Sequence, residues 1–126
     1  MKATTKLTKE QVTPKEVLSG RDLMHWRQER GIPRSLFCKM ADFSERKMAT
    51  IEKAPRIPKT SARPITETMR LIKALQELAG DRQALKDWLQ TPNPAFDKAT
   101  PLGLIKDGKT DLLWEMVHQL RQGTFA

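Results

Sequence analysis

His25, His118 and Cys38 are the side chains of this 126-residue chain best suited to proton transfer, metal ligation or nucleophilic attack, and their placement favours none of these. The two histidines lie far apart, each in a stretch with the apolar period of an amphipathic helix, where an isolated histidine is ordinarily a surface or boundary residue. No Cys/His cluster has metal-ligand spacing, and no Gly-rich phosphate loop occurs. Cys38 has no basic or histidine partner in its pattern and reads as a small apolar residue packed between helices. The carboxylates stand singly, mostly at helix starts, where the helix dipole favours them. Trp26, Trp88 and Trp114 fall on helical faces and read as core. The expectation is a protein that is not an enzyme, with no cofactor and no metal.

The groups that do suggest a partner are lysine and arginine. The net charge is +8, with 15 Lys/Arg against 7 Asp/Glu in residues 1–65 and 8 of each in residues 66–126. A basic half joined to a neutral half suggests a division of labour, the basic part meeting a polyanion such as nucleic acid. The single cysteine excludes an internal disulfide and fits a reducing compartment. The polar N-terminal stretch lacks the apolar core of a signal peptide, and no apolar run approaches the ~18 residues that span a bilayer. These features lead to the expectation of a soluble, cytoplasmic protein.

Helical periodicity runs through the elements that would position those charges. Residues 1–17 read as a polar arm. In "LSGRDLMHWRQERG" Ser19 and Asp22 form a capping-box variant, Leu23 and Trp26 share a face, and Gly31 suits a left-handed stop. A second helix begins near Pro33 and carries Leu36, Phe37 and Met40. A third follows Ser44 as N-cap, with Phe43 stapled onto Met48 and Ile51 continuing the buried face. Residues 54–65, with three prolines, show no helical pattern and mark a boundary. "TETMRLIKALQELAG" then buries Met69, Ile72, Leu75 and Ala79. "DRQALKDWLQ" has Asp81 as cap and buries Leu85, Trp88 and Leu89. Pro92 and Pro94 end that helix, Thr100 and Pro101 open a short one ending at Gly108, and a last helix from Thr110 to Gly123 turns Leu113, Val117 and Leu120 inward. No segment alternates with period two, so the fold class is all-α, with about seven helices.

Residues 33–52, "PRSLFCKMADFSERKMATIE", resemble the Cro/Xre-type helix-turn-helix across all twenty positions. Phe37, Met40, Phe43, Met48 and Ile51 occupy its buried apolar places, Cys38 its small residue, and Glu52 the acid that closes the motif. Two positions depart from it: Arg34 stands where Gln is frequent, and Asp42 replaces the turn Gly. The resemblance implies a second motif helix in the major groove, presenting Glu45, Arg46, Lys47 and Thr50 to the bases, with Ser35 and Ser44 beside them. Arg46 is the candidate for guanine, and Lys47 and Arg34 for phosphates. The competing reading is a helical bundle with a charged, solvated face.

"DWLQTPNPAFDKATPLGLIKDGKTDLLWEMVHQLRQGTFA" resembles the toxin-binding domain of Xre/MbcA/ParS-type antitoxins. Trp88, Leu89, Pro92, Asn93, Ala95, Phe96, Thr100, Pro101, Leu102, Gly108, Leu120, Gly123 and Ala126 match the family pattern in order. Lys98 replaces a frequent Gly, and Gly103 a larger residue. The resemblance implies a bacterial type II antitoxin that neutralises a RES-type, NAD-consuming or ADP-ribosyltransferase-like toxin and represses its own operon. It further implies that Arg121, Gly123, Thr124, Phe125 and Ala126 plug the toxin's active site.

The expected organisation is therefore an arm (1–17), a helix-turn-helix region (18–57), a linker (58–65) and a helical toxin-binding domain (66–126). The expected partners are a cognate toxin and operator DNA, with a homodimer matching two-fold half-sites. The alternative is a stand-alone helix-turn-helix regulator whose C-terminal half only dimerises.

Overall fold

A computed structural model describes residues 19–123. Among them every regular element is helical: α1 (Gly20–Glu29), α2 (Arg34–Ala41), α3 (Glu45–Lys53), α4 (Lys59–Ala79), α5 (Arg82–Leu89), a 3-10 turn (Pro94–Phe96), α6 (Pro101–Lys106) and α7 (Thr110–Arg121). The chain is all-α. It divides into two compact units, Met1–Lys73 and Ala74–Ala126, with the division inside α4. The expected arm, residues 1–17, lies outside the described residues.

Local chemistry accounts for the helix starts. Ser19 Oγ accepts the Asp22 N–H at 3.1 Å, and Asp22 Oδ2 accepts the Ser19 N–H at 3.4 Å, closing a reciprocal capping box on α1. Ser44, Asp81 and Thr100 cap α3, α5 and α6 without the return bond, each accepting from a backbone N–H three residues on. Each such cap is worth about 1 kcal/mol.

In the first unit Leu23, Trp26, Ile32, Leu36, Phe37, Met40, Met48 and Ile51 are buried, as are Ile65, Met69 and Ile72 from α4. Helices α1 and α3 meet more closely than side chains would allow. The Gly20 N–H donates to the Ala54 carbonyl at 2.9 Å, and a Cβ on Gly20 would stand 1.9 Å from the Ile51 carbonyl oxygen. That atom is backbone, so no rotamer change makes room. Phe43, expected in this core, is instead half-exposed, and its ring lies 4.4 Å below the Lys47 ammonium.

The proline-bearing stretch 54–65 corrects the expectation of a non-helical linker. Helix α4 starts at Lys59 and runs through Pro64. The proline removes one donor, the partner of the Thr60 carbonyl, and Thr60 is exposed, so water can serve that group. Ser61, Ile65, Thr68, Met69 and Ile72 are all buried, a helical face that begins before the proline. Burial of that face outweighs the single lost bond.

In the second unit Leu85, Leu89, Leu102, Leu104, Ile105, Leu113 and Val117 are buried. Trp88 and Ala79, expected inside, are only half-buried, and Leu120 is 37% exposed. The segment between α5 and α6 is organised around Asn93. Its backbone N–H donates to Ala99, its carbonyl accepts from Phe96 and Lys98, and its Oδ1 accepts from Ala95 at 2.9 Å. These bonds make the proline-rich stretch a closed turn, with Asp97 and Lys98 both in the left-handed region (φ 56° and 71°). Lys98 thus stands where glycine costs nothing and a side chain costs about 1 kcal/mol. Replacing Lys98 with Gly should raise the unfolding free energy by about that amount, read as a higher urea midpoint at unchanged m-value.

Candidate functional site

Three helices of the first unit are tied by one carboxylate. Glu52 on α3, its side chain 2% exposed, accepts from Arg27 Nε on α1 at 2.8 Å and from Arg27 Nη2 at 3.2 Å. The remaining Arg27 amino group donates to the Ile32 carbonyl at 3.0 Å, in the turn between α1 and α2. Arg34, at the start of α2, donates to Glu52 Oε1 through Nε at 3.1 Å and Nη2 at 3.0 Å. A buried carboxylate is thereby paired and saturated with charge-assisted bonds. Arg34 had been expected to take a phosphate. Its side chain is 41% exposed, and two of its donors already serve Glu52.

Between α2 and α3 lie three residues, with Asp42 left-handed at φ 62° and its N–H returned to the Cys38 carbonyl. Cys38 is buried, and its thiol donates to the Ser44 carbonyl at 3.8 Å. Burial pushes the thiol's pKa up, and the nearby Glu45 carboxylate adds to the shift. Cys38 therefore packs the turn as an unreactive thiol.

The remaining candidates for nucleic-acid contact share the solvent side. Ser35, Ser44, Glu45, Arg46, Lys47 and Thr50 are exposed, while Met48, Ile51 and Glu52 carry the buried side of α3. Ser44 Oγ is already an acceptor for the Lys47 N–H, and Thr50 Oγ1 donates to the Arg46 carbonyl at 3.1 Å. Arg46 and Lys47 thus bring two cations to the N-terminal end of a short helix capped by Ser44.

The second unit ends on α7, where Arg121 Nη2 lies 3.5 Å from Glu77 Oε1 on α4. Gly123 is left-handed at φ 70°, its N–H returned to the Leu120 carbonyl at 3.2 Å. Arg121 and Gly123 are both exposed. Thr124, Phe125 and Ala126, expected to form a plug with them, lie outside the described residues. Earlier on α7, Trp114 stacks on His118 with ring centroids 6.0 Å apart. Among the described residues no group of three or more His, Cys, Asp or Glu side chains is placed to hold a metal ion, and no helix is long and apolar enough to cross a membrane.

Two open grooves border α7. One, of about 290 Å³, is lined by apolar residues alone, including Leu75, Leu78, Trp88, Met116 and Leu120. The other, of about 650 Å³, has Phe96, Leu112 and Met116 beside Asp97, Asp107 and Glu115. Residues 74–123 match the family model of the antitoxin Xre/MbcA/ParS C-terminal toxin-binding domain. The match supports an antitoxin and a toxin partner for this chain. Neither the curated proteins nor the solved structures give a match.

Within these residues the sequence pattern assigns Trp88 and Leu120 to the core, and the structure moves both to a groove wall. The apolar repeat Leu112–Met116–Leu120 carried the missed signal, since it defines a second stripe on α7 beside the buried pair Leu113 and Val117. In the first unit Glu52 was recognised, but its principal partner Arg27 was not. Arg27 sits 25 residues away in a helix of mixed charge, and spacing alone does not single it out. Removing the acid in Glu52→Ala strands a buried guanidinium, and should lower the unfolding free energy by about 3–5 kcal/mol. Denaturant unfolding followed by far-UV circular dichroism measures this directly.

Proposed function

We propose that the protein is the antitoxin of a type II toxin–antitoxin pair, with its C-terminal region as the inhibitor and its basic first unit as an operator-binding module. The match of residues 74–123 to a toxin-binding domain carries the reading. The inhibitor acts by occlusion. Arg121 and Gly123, at the end of α7, lead into Thr124, Phe125 and Ala126, which enter the active site of a RES-type, NAD-consuming or ADP-ribosyltransferase-like toxin. Within that site Phe125 fills an apolar pocket. The Arg121 guanidinium exchanges its exposed, 3.5 Å pairing with Glu77 for acidic or phosphate-binding groups of the toxin. Neutralisation needs no chemistry from the antitoxin, only a site filled before substrate arrives.

Deleting residues 121–126 should abolish rescue of growth against the co-expressed toxin while leaving DNA binding intact. Full rescue by the truncated chain would remove the plug.

Repression rests on the charge asymmetry and on the exposed N-terminal end of α3. Arg46 reads a guanine edge, Lys47 and Arg34 meet phosphates, and Ser35, Ser44, Glu45 and Thr50 border the contact. The Arg34 guanidinium, held by Glu52, offers the backbone a cation already fixed in direction. A homodimer supplies two such helices to two half-sites. Because each neutralised phosphate releases counterions, Arg46→Ala with Lys47→Ala should weaken operator binding and reduce the slope of log K against log salt by about 1 for the lost phosphate contact. An unchanged slope would mean that this face is a solvated helix surface and not a DNA contact.

A further inference from the structure

The three exposed large apolar side chains among the described residues, Leu78, Leu112 and Leu120, are 36%, 40% and 37% exposed. All three belong to the second unit, and each lines one of the two grooves beside α7. Met116 lines both grooves, so the two are one surface. Leu112, Met116 and Leu120 recur every four residues on α7 and form a ridge about 12 Å long between the outer two. Apolar side chains gathered along one helix offer a contiguous stripe to a partner, where scattered single ones would not.

The polarity of the surface is graded along the ridge. The Leu120 end is lined without a charged residue. The Leu112 end carries Asp97, Asp107 and Glu115 with Lys109, a net negative rim. The whole surface falls inside residues 74–123, the part that matches a toxin-binding domain.

We propose that this ridge is a docking surface for the toxin, separate from the plug, and that it takes a segment of the toxin with an apolar stripe and a basic end. The proposal rests on the antitoxin reading. The apolar stripe of the toxin lies along Leu112, Met116 and Leu120, with its largest side chain between Leu78 and Trp88. Its Lys or Arg residues face Asp97, Asp107 and Glu115, which set the direction of docking. Docking on the ridge brings the end of α7 to the toxin surface, so the tail is delivered at high effective concentration.

The test measures affinity of the full-length chain for the toxin encoded beside it, using Met116→Glu, Leu112→Lys and Glu115→Lys. Met116→Glu should weaken binding by roughly 30-fold, as expected for a central apolar anchor. Leu112→Lys, at the more exposed position, should act in the same direction even where Met116→Glu perturbs folding. Glu115→Lys should slow association and lessen its dependence on salt. Unchanged thermal melting and unchanged operator binding would confine each effect to the docked face. Wild-type affinity in folded Met116→Glu and Leu112→Lys would overturn the ridge while leaving the antitoxin reading in place. A wild-type chain that does not bind the toxin overturns both. If the variants turn a free dimer into a monomer without loss of toxin affinity, the ridge is an interface between two copies of this chain and the proposal fails.

Discussion

The buried carboxylate of Glu52 is the constraint on which the first unit depends. An ionised side chain 2% exposed would be strongly destabilising if left unpaired. Its position is therefore tolerable only while Arg27 presents two donors from α1 and Arg34 presents two from α2. The third direction of the Arg27 fork fixes the Ile32 carbonyl, so the turn between those helices is held by the same group. Apolar packing around Leu23, Phe37 and Met48 provides the larger burial, but it is non-directional. The forked hydrogen bonds specify which way the three helices face. They set the exposed side of α3, and with it the placement of Arg46 and Lys47.

Much of this architecture is legible from residue type. Ser19, Ser44, Asp81 and Thr100 each announce a helix start, because a short side-chain oxygen satisfies an otherwise orphaned N–H. The prolines were partly misleading. Pro92, Pro94 and Pro101 punctuate the chain as local rules suggest, but Pro64 lies inside α4, where the buried face of Ser61, Ile65 and Met69 overrides a local preference. The family resemblance points to the residue pattern of the C-terminal region but not to which of its apolar side chains stay at the surface. Trp88, Leu112 and Leu120 have the composition of core, and only the fold shows that, among the described residues, Trp88 is half-buried and the two leucines are exposed. The reach of Arg27 to Glu52 was hidden for a similar reason, as the pair is brought together by tertiary structure and not by a local repeat.

The two units dispose their helices differently. In the first, Ser44 and Thr50 bond to the backbone of α3, and Arg46 and Lys47 stay at the surface. In the second, a 12-residue helix buries only Leu113 and Val117 and leaves apolar stripes at the surface. Helix α6 packs against it and also against α5.

The close approach of Gly20 to the Ile51 carbonyl sets a limit on how this chain can vary. At most core positions a mutation trades one volume or polarity for another, and a neighbouring change can restore the fit. Position 20 admits no graded change, because all nineteen alternatives begin with the same carbon atom in the same occupied place. It can drift only if the backbones of α1 and α3 part, which would also pull Arg27 from Glu52. The smallest residue in the first unit thereby couples the spacing of two helices to the integrity of a charged network, and selection on either feature acts on both.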